Sequence, residues 1–198
     1  MVTVRPHSRR ILRRAPTLPP VGLLAALAVG CGEDAPVLTS VGVGLNLLLS
    51  DPPGLTCGLG VRAAAPTLIG DPAPSATSRG EPTAAGQNDL NVACTVKQAS
   101  EGQFIVYIRL TDDARGLYVT VDGSVPAGAT GSAKVNVNSV SQGRNMYQDG
   151  CTLSAVAPFA VKPGEFWGQF TCPNATTAAG TDINCIINGI VELTGCQD

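Results

Sequence analysis

From Leu90 onward the apolar residues recur at every second position, and this period constrains the fold more than any other property of the chain. Leu90, Val92, Cys94 and Val96 share one side of an extended segment, with Asn91, Thr95 and Lys97 on the other. Leu117, Val119 and Val121 alternate with Tyr118, Thr120 and Asp122, and Val135 and Val137 alternate with Asn136 and Asn138. A period of two is the signature of strands with one buried face. The run Phe104–Leu110 is nearly continuous in apolar residues, as expected of a central strand covered on both faces. Cys151–Phe159, Glu165–Cys172 and Ile186–Leu193 complete the set. Turn residues punctuate the gaps at Gly123, Pro126-Ala127-Gly128, Asp149-Gly150, Pro163-Gly164 and Pro173-Asn174. Beyond residue 30, no stretch of about eleven residues keeps a helical period. The pattern predicts an all-β chain folded as an antiparallel β-sandwich or jelly-roll. The absence of a fixed internal repeat argues against a propeller or solenoid.

Upstream of this region the pattern is weaker. Val37–Leu49 and Thr56–Arg62 read as two short strands divided by the turn Asp51-Pro52-Pro53-Gly54. Residues 63–88 hold Pro66, Pro72, Pro74 and Pro82 among small and polar residues, and read as a loop or linker. The sequence therefore divides into residues 1–30, an N-terminal segment 31–62, a linker 63–88 and a β domain 89–198.

Residues 1–30 have a different character. Arg5, Arg9, Arg10, Arg13 and Arg14 precede the short apolar run Val21–Val29, and Ala28-Val29-Gly30 stands directly before Cys31. This resembles the signal peptide and lipobox of bacterial lipoproteins. The resemblance implies a diacylglyceryl group on the Cys31 thiol, cleavage just before it and acylation of the new amino terminus by a palmitate-like chain. The family usually has Leu where Ala28 stands. Ala28-x-Gly30 also satisfies the rule for ordinary secretory cleavage, so an unlipidated secreted protein starting at Cys31 is an alternative. Pro19-Pro20 and Gly32-Glu33-Asp34 bound an apolar run shorter than the roughly 20 residues that span a bilayer. Two or three acyl chains would hold the protein stably on its membrane, whereas one chain holds only marginally. Gly32, rather than Asp, follows the cysteine, which leans toward an outer membrane.

Removing the signal changes the charge. Five of the 13 basic residues and none of the 15 acidic ones lie in residues 1–30, leaving 8 against 15, about −7. With no basic cluster after Cys31, a nucleic-acid partner is not expected. The seven cysteines also need an explanation in an exported chain. Lipidation of Cys31 leaves Cys57, Cys94, Cys151, Cys172, Cys185 and Cys196 for three disulfides. Their pairing stays open, but five of the six follow Asp89, so full pairing requires Cys57 to reach into the β domain. The spacings lack any C-x-x-C and do not suit zinc.

The only histidine, His7, is lost with the signal. Ser-His-Asp and Cys-His chemistry is thereby excluded, and no catalytic residue, metal or cofactor is expected. Asp112, Asp113, Asp149, Glu165, Asp182 and Glu192 could serve a carboxylate-dependent glycoside-acting enzyme or a calcium site, but nothing in the sequence pairs them. Trp167 is the single tryptophan. With Phe166, Phe170 and Cys172 facing the core, Trp167 and Gln169 face outward. There Trp167 either covers the sheet beneath a loop or, with Gln169, Tyr118 or Tyr147, contacts a sugar or protein. The leading expectation is a non-enzymatic envelope lipoprotein, held at the membrane by its lipid and acting as a surface binding or structural subunit for a protein or glycan. The alternative is a carbohydrate-binding module using Trp167.

Overall fold

Side chains two apart on a strand share a face, so an alternating chain buries its apolar half only when its strands align with that half turned inward. A computed structural model of the protein describes residues 41–52, 67–70, 82–87, 89–139, 144–177 and 184–198. Among these there is no helix. The strands are β1 (Gly42–Ser50), β2 (Thr67–Ile69), β3 (Thr83–Ala84), β4 (Leu90–Ser100), β5 (Gln103–Asp112), β6 (Leu117–Pro126), β7 (Thr130–Ser139), β8 (Arg144–Ser154), β9 (Ala160–Lys162), β10 (Glu165–Thr177) and β11 (Asn184–Thr194). They form one antiparallel sheet in the order β2-β1-β11-β10-β8-β7-β6-β5-β4, with β3 on β1 and β9 on β10.

All the long strands turn their apolar rows to one side, where a single core forms. Val43, Leu45 and Leu47 of β1 meet Val106, Ile108 and Leu110 of β5, Val119 and Val121 of β6, and Val135 and Val137 of β7 in that cluster. Phe166 and Phe170 of β10 are its largest fully buried members. Burying one such side chain contributes about 1.5–3 kcal/mol. The sheet can enclose a core without a helical layer because it curls until β4 meets the β9–β10 turn and the segment after β11. Val96 N donates to Gln197 O at 2.8 Å and Gln197 N to Cys94 O at 3.1 Å, joining β4 to the segment after β11. Gly164, between β9 and β10, donates to Val96 O at 2.8 Å and accepts from Cys196 N at 3.0 Å. A Cys94–Cys196 disulfide, with Cα atoms 5.0 Å apart, fastens this seam.

The ladder between β8 and β10 is interrupted. Gln169–Thr171 pair with Ser154–Thr152, and Thr176–Thr177 with Tyr147–Met146, but the residues between do not pair. Bulges account for the gap. β10 shifts register against β11 between Cys172 and Ala175, and β7 shifts against β8 between Ala133 and Val135. Gly150, at φ +75°, supplies the left-handed residue in β8. The Cys151–Cys172 disulfide and a 2.8 Å hydrogen bond from Asn174 N to the Gln148 side-chain oxygen cross the interval.

The fold is thus the expected all-β class, an antiparallel, disulfide-bonded β-sandwich in which one curled sheet provides both layers. The boundary expected at residue 89 is corrected. β1 pairs with β11 over nine residues, from Gly42↔Thr194 to Ser50↔Ile186, so it belongs to the domain. Two pieces of the expected linker, β2 and β3, pair with β1. The proline-rich composition concealed them because two or three residues are too few to show a period. Gly123, Asp149-Gly150 and Pro173-Asn174, expected between strands, lie inside β6, β8 and β10, and in β8 and β10 the turn residues serve bulges. The expectation that Phe104–Leu110 is covered on both faces is corrected as well, since only one face of β5 is buried and Arg109 on the other is exposed. The expected strand Thr56–Arg62, Cys31 and Cys57 lie outside the described residues. Cys185 is disulfide-bonded.

Candidate functional site

The residues singled out as ligand contacts fall into two separate places. Trp167 and Gln169 stand on the outer face of β10. Trp167 is only 8% exposed, because Phe159 from the β8–β9 connection packs edge-on against it, with ring centroids 5.3 Å apart at 80°. On β10 it lies between Ala160 of β9 and Glu192 of β11, itself buried. Its surface is spent on covering the sheet rather than on solvent. Gln169 is exposed and pairs with Ile190, beside a depression of about 260 Å³ that also includes Leu48. Tyr147 pairs with Thr176, nine positions along β10 from Trp167, or about 30 Å.

Tyr118 and Tyr147, by contrast, share one surface. Cross-strand pairing aligns Asn91, Thr111, Tyr118, Asn138 and Asn145 in a row over β4 to β8. The next row holds Ala93, Arg109, Thr120, Asn136 and Tyr147. Both rows belong to the outer face, since Val119, Val121, Val135, Val137 and Met146 beside them are buried. Five strands spaced about 4.8 Å apart give the band a width of about 19 Å, and the two tyrosine Cα atoms are about 12 Å apart on the diagonal. Tyr107, the third and last tyrosine, stands on the same face one row further on. No tyrosine is spent on the core.

Arg109 is the only charged side chain in these two rows, and among the described residues it has no acidic partner. Its guanidinium carbon lies 5.7 Å from the centroid of the Tyr118 ring, a cation–π distance that holds the fork over the surface. A shallow groove of about 440 Å³ opens beside it, lined by Ala85, Asn91, Val92, Ala93, Arg109 and Thr111. Asn136 Oδ1 is buried and accepts no hydrogen bond from the described residues.

Comparison with known proteins adds nothing to this geometry. No protein-family model, no curated protein and no solved structure matches the chain.

The carboxylates are dispersed. Buried Asp112 caps the β5–β6 turn, accepting from Arg115 N at 3.0 Å and pairing with its guanidinium at 2.6 Å. Asp149 pairs with Lys134 at 3.2 Å and Glu165 with Lys162 at 3.0 Å. Asp113 belongs to the β5–β6 turn, Glu192 lies opposite Trp167, and Asp182 is outside the described residues. Among the described residues no three His, Cys, Asp or Glu side chains gather as metal ligands. In the sequence Asn136 and Asn138 stand only as the polar half of an alternation. The usable signal was their residue type, since asparagine is depleted in strands.

Proposed function

We propose that the chain is a non-enzymatic lipoprotein of the bacterial cell envelope, anchored through Cys31 to a membrane, the outer one where the cell has two, and acting there by binding. The observation that carries this reading is the cysteine account. Cys94, Cys196, Cys151, Cys172 and Cys185 are all disulfide-bonded, as suits an oxidising compartment. Seven cysteines cannot all pair with one another, so one is left over. The lipobox-like sequence before Cys31 makes it the one left over, with Cys57 as the partner of Cys185. Loss of His7 with the signal supports a role without the usual nucleophilic machinery.

Mass spectrometry of the membrane-extracted protein, digested without reduction, tests the reading. The expected result is a Cys31 peptide carrying acyl chains, a Cys57–Cys185 cross-linked peptide and no free thiol. An unmodified Cys31, or a Cys31–Cys185 link, would overturn it.

A further inference from the structure

The outer rows of β4 to β8 carry a pattern that a merely solvated sheet does not call for. Asparagine is disfavoured in strands because its amide competes with the ladder for backbone hydrogen bonds. Four asparagines, Asn91, Asn136, Asn138 and Asn145, nevertheless occupy the two adjoining rows, next to two of the chain's three tyrosines. Departures from local propensity of this kind concentrate where function requires them. Asn136 is half-buried among them, and its Oδ1 accepts no hydrogen bond from the described residues, so its amide is not used to tie the sheet together. Arg109 adds a further sign, as the only charge in the two rows, with no ion pair among the described residues although Asp122 stands diagonally from it in the next row.

We propose that this band binds an acidic saccharide, a hydroxyl-rich chain bearing carboxylates on its rings. The guanidinium of Arg109 pairs with a carboxylate in its two-pronged geometry. Tyr118 and Tyr147 present ring faces to the apolar sides of the sugar rings. Each asparagine amide offers both a donor and an acceptor, matching hydroxyls that are themselves both. The groove beside Ala93 and Arg109 receives one ring of the chain. A peptide fits the surface less well. Sheets capture peptides by strand addition at an edge, whereas the band lies mostly on β5, β6 and β7, which are paired on both sides. The two rows also lack any exposed Leu, Ile, Phe or Trp for an apolar anchor.

The inference rests on the reading that the protein acts by binding, and its test is separate from that of the anchor. Detergent-extracted full-length protein is titrated with polygalacturonate, with the same polymer after reduction of its carboxyls to alcohols, and with polyglutamate. Polygalacturonate should bind at least about tenfold more tightly than either of the others, since a hydrogen-bonded charge pair is worth about 1.5–3 kcal/mol. Arg109→Gln should weaken it by about tenfold, and Tyr147→Ala, at a site 41% exposed, by about fivefold. Lys162→Gln removes a positive charge on β9 and should leave binding unchanged. Polyglutamate binding as tight as polygalacturonate would overturn the proposal, as would no polygalacturonate binding or equal binding by folded Arg109→Gln and Tyr147→Ala proteins. A protein that carries its lipid on Cys31 yet binds none of the polymers loses the saccharide and keeps the anchor.

Discussion

From Leu90 to Ser139 the sheet is laid down in chain order, each strand pairing with the one before it across a short turn. β4 to β7 join through registers with runs of nine, ten and eight consecutive pairs. The rest of the sheet mixes local pairs, β7–β8, β9–β10 and β10–β11, with pairs that skip along the chain. β1 pairs with β11 some 150 positions away, the seam joins Val96 to Gln197, and the β8–β10 ladder is broken by bulges. The disulfides follow this division. No bond links one β4–β7 strand to another. Cys151–Cys172 crosses the broken ladder, Cys94–Cys196 closes the seam, and Cys185 lies on β11. Closing a hairpin costs little chain entropy and closing a long loop costs more, so covalent links stand where pairing is non-local. The outer faces divide similarly. The first region shows amides, hydroxyls and tyrosines, whereas β1 and β11 set Leu48, Ile186 and Ile190 among Asn46, Asn184 and Asn188, with Leu68 of β2 45% exposed.

Removing the seam disulfide is the strongest way to test this contrast. Cys94 and Cys196 are 102 residues apart, and a loop of that size implies a loss of about 5 kcal/mol when both become alanine. Urea unfolding of the non-reduced protein measures the loss. Hydrogen exchange should show Val96 and Gly164 opening while β5 to β7 stay protected; joint loss of protection would show that the in-order region does not stand without the seam. Replacing Cys151 and Cys172 by alanine should cost less, about 3 kcal/mol, because that loop spans only 21 residues. A larger loss than at the seam would mean that the disulfide's main role is to hold the bulges rather than to limit the unfolded chain.

The same contrast explains how much the sequence discloses. The strands of β4 to β7 are the most legible, because a period of two runs through β4, β6 and β7, β5 stands out as an apolar run, and most of the turns fall between strands, with Gly123 inside β6 as the exception. β8 and β10 are legible only in part, since Asp149-Gly150 and Pro173-Asn174 have the composition of turns and the geometry of bulges. β1 has a clear apolar row in Val43, Leu45, Leu47 and Leu49, but no local feature says that its partner is β11. The candidate site is less legible still. Tyr118 and Tyr147 are visible as aromatics, yet their company depends on register, which aligns residues from five strands. Trp167 shows the converse. Its outward face follows from alternation, while its burial depends on Phe159 arriving from a loop.

The smallest expected effect concerns how the second region accommodates its bulky core. Phe170 pairs across to Gly189 on β11, and its ring occupies the space where a side chain at Gly189 would begin. An aromatic ring laid over a glycine fills a strand position that has no side chain of its own. Gly189→Ala forces the ring or the backbone to move, and overpacking of this kind costs about 1–3 kcal/mol. Thermal unfolding of the variant should show that loss, and pairing it with Phe170→Leu should recover part of it, because the smaller side chain vacates the contested space. The recovery distinguishes a clash with the ring from a general intolerance of β11 to substitution. An unchanged melting temperature in Gly189→Ala would mean that β10 and β11 adjust without cost, and that the second region is held by its disulfides rather than by close packing.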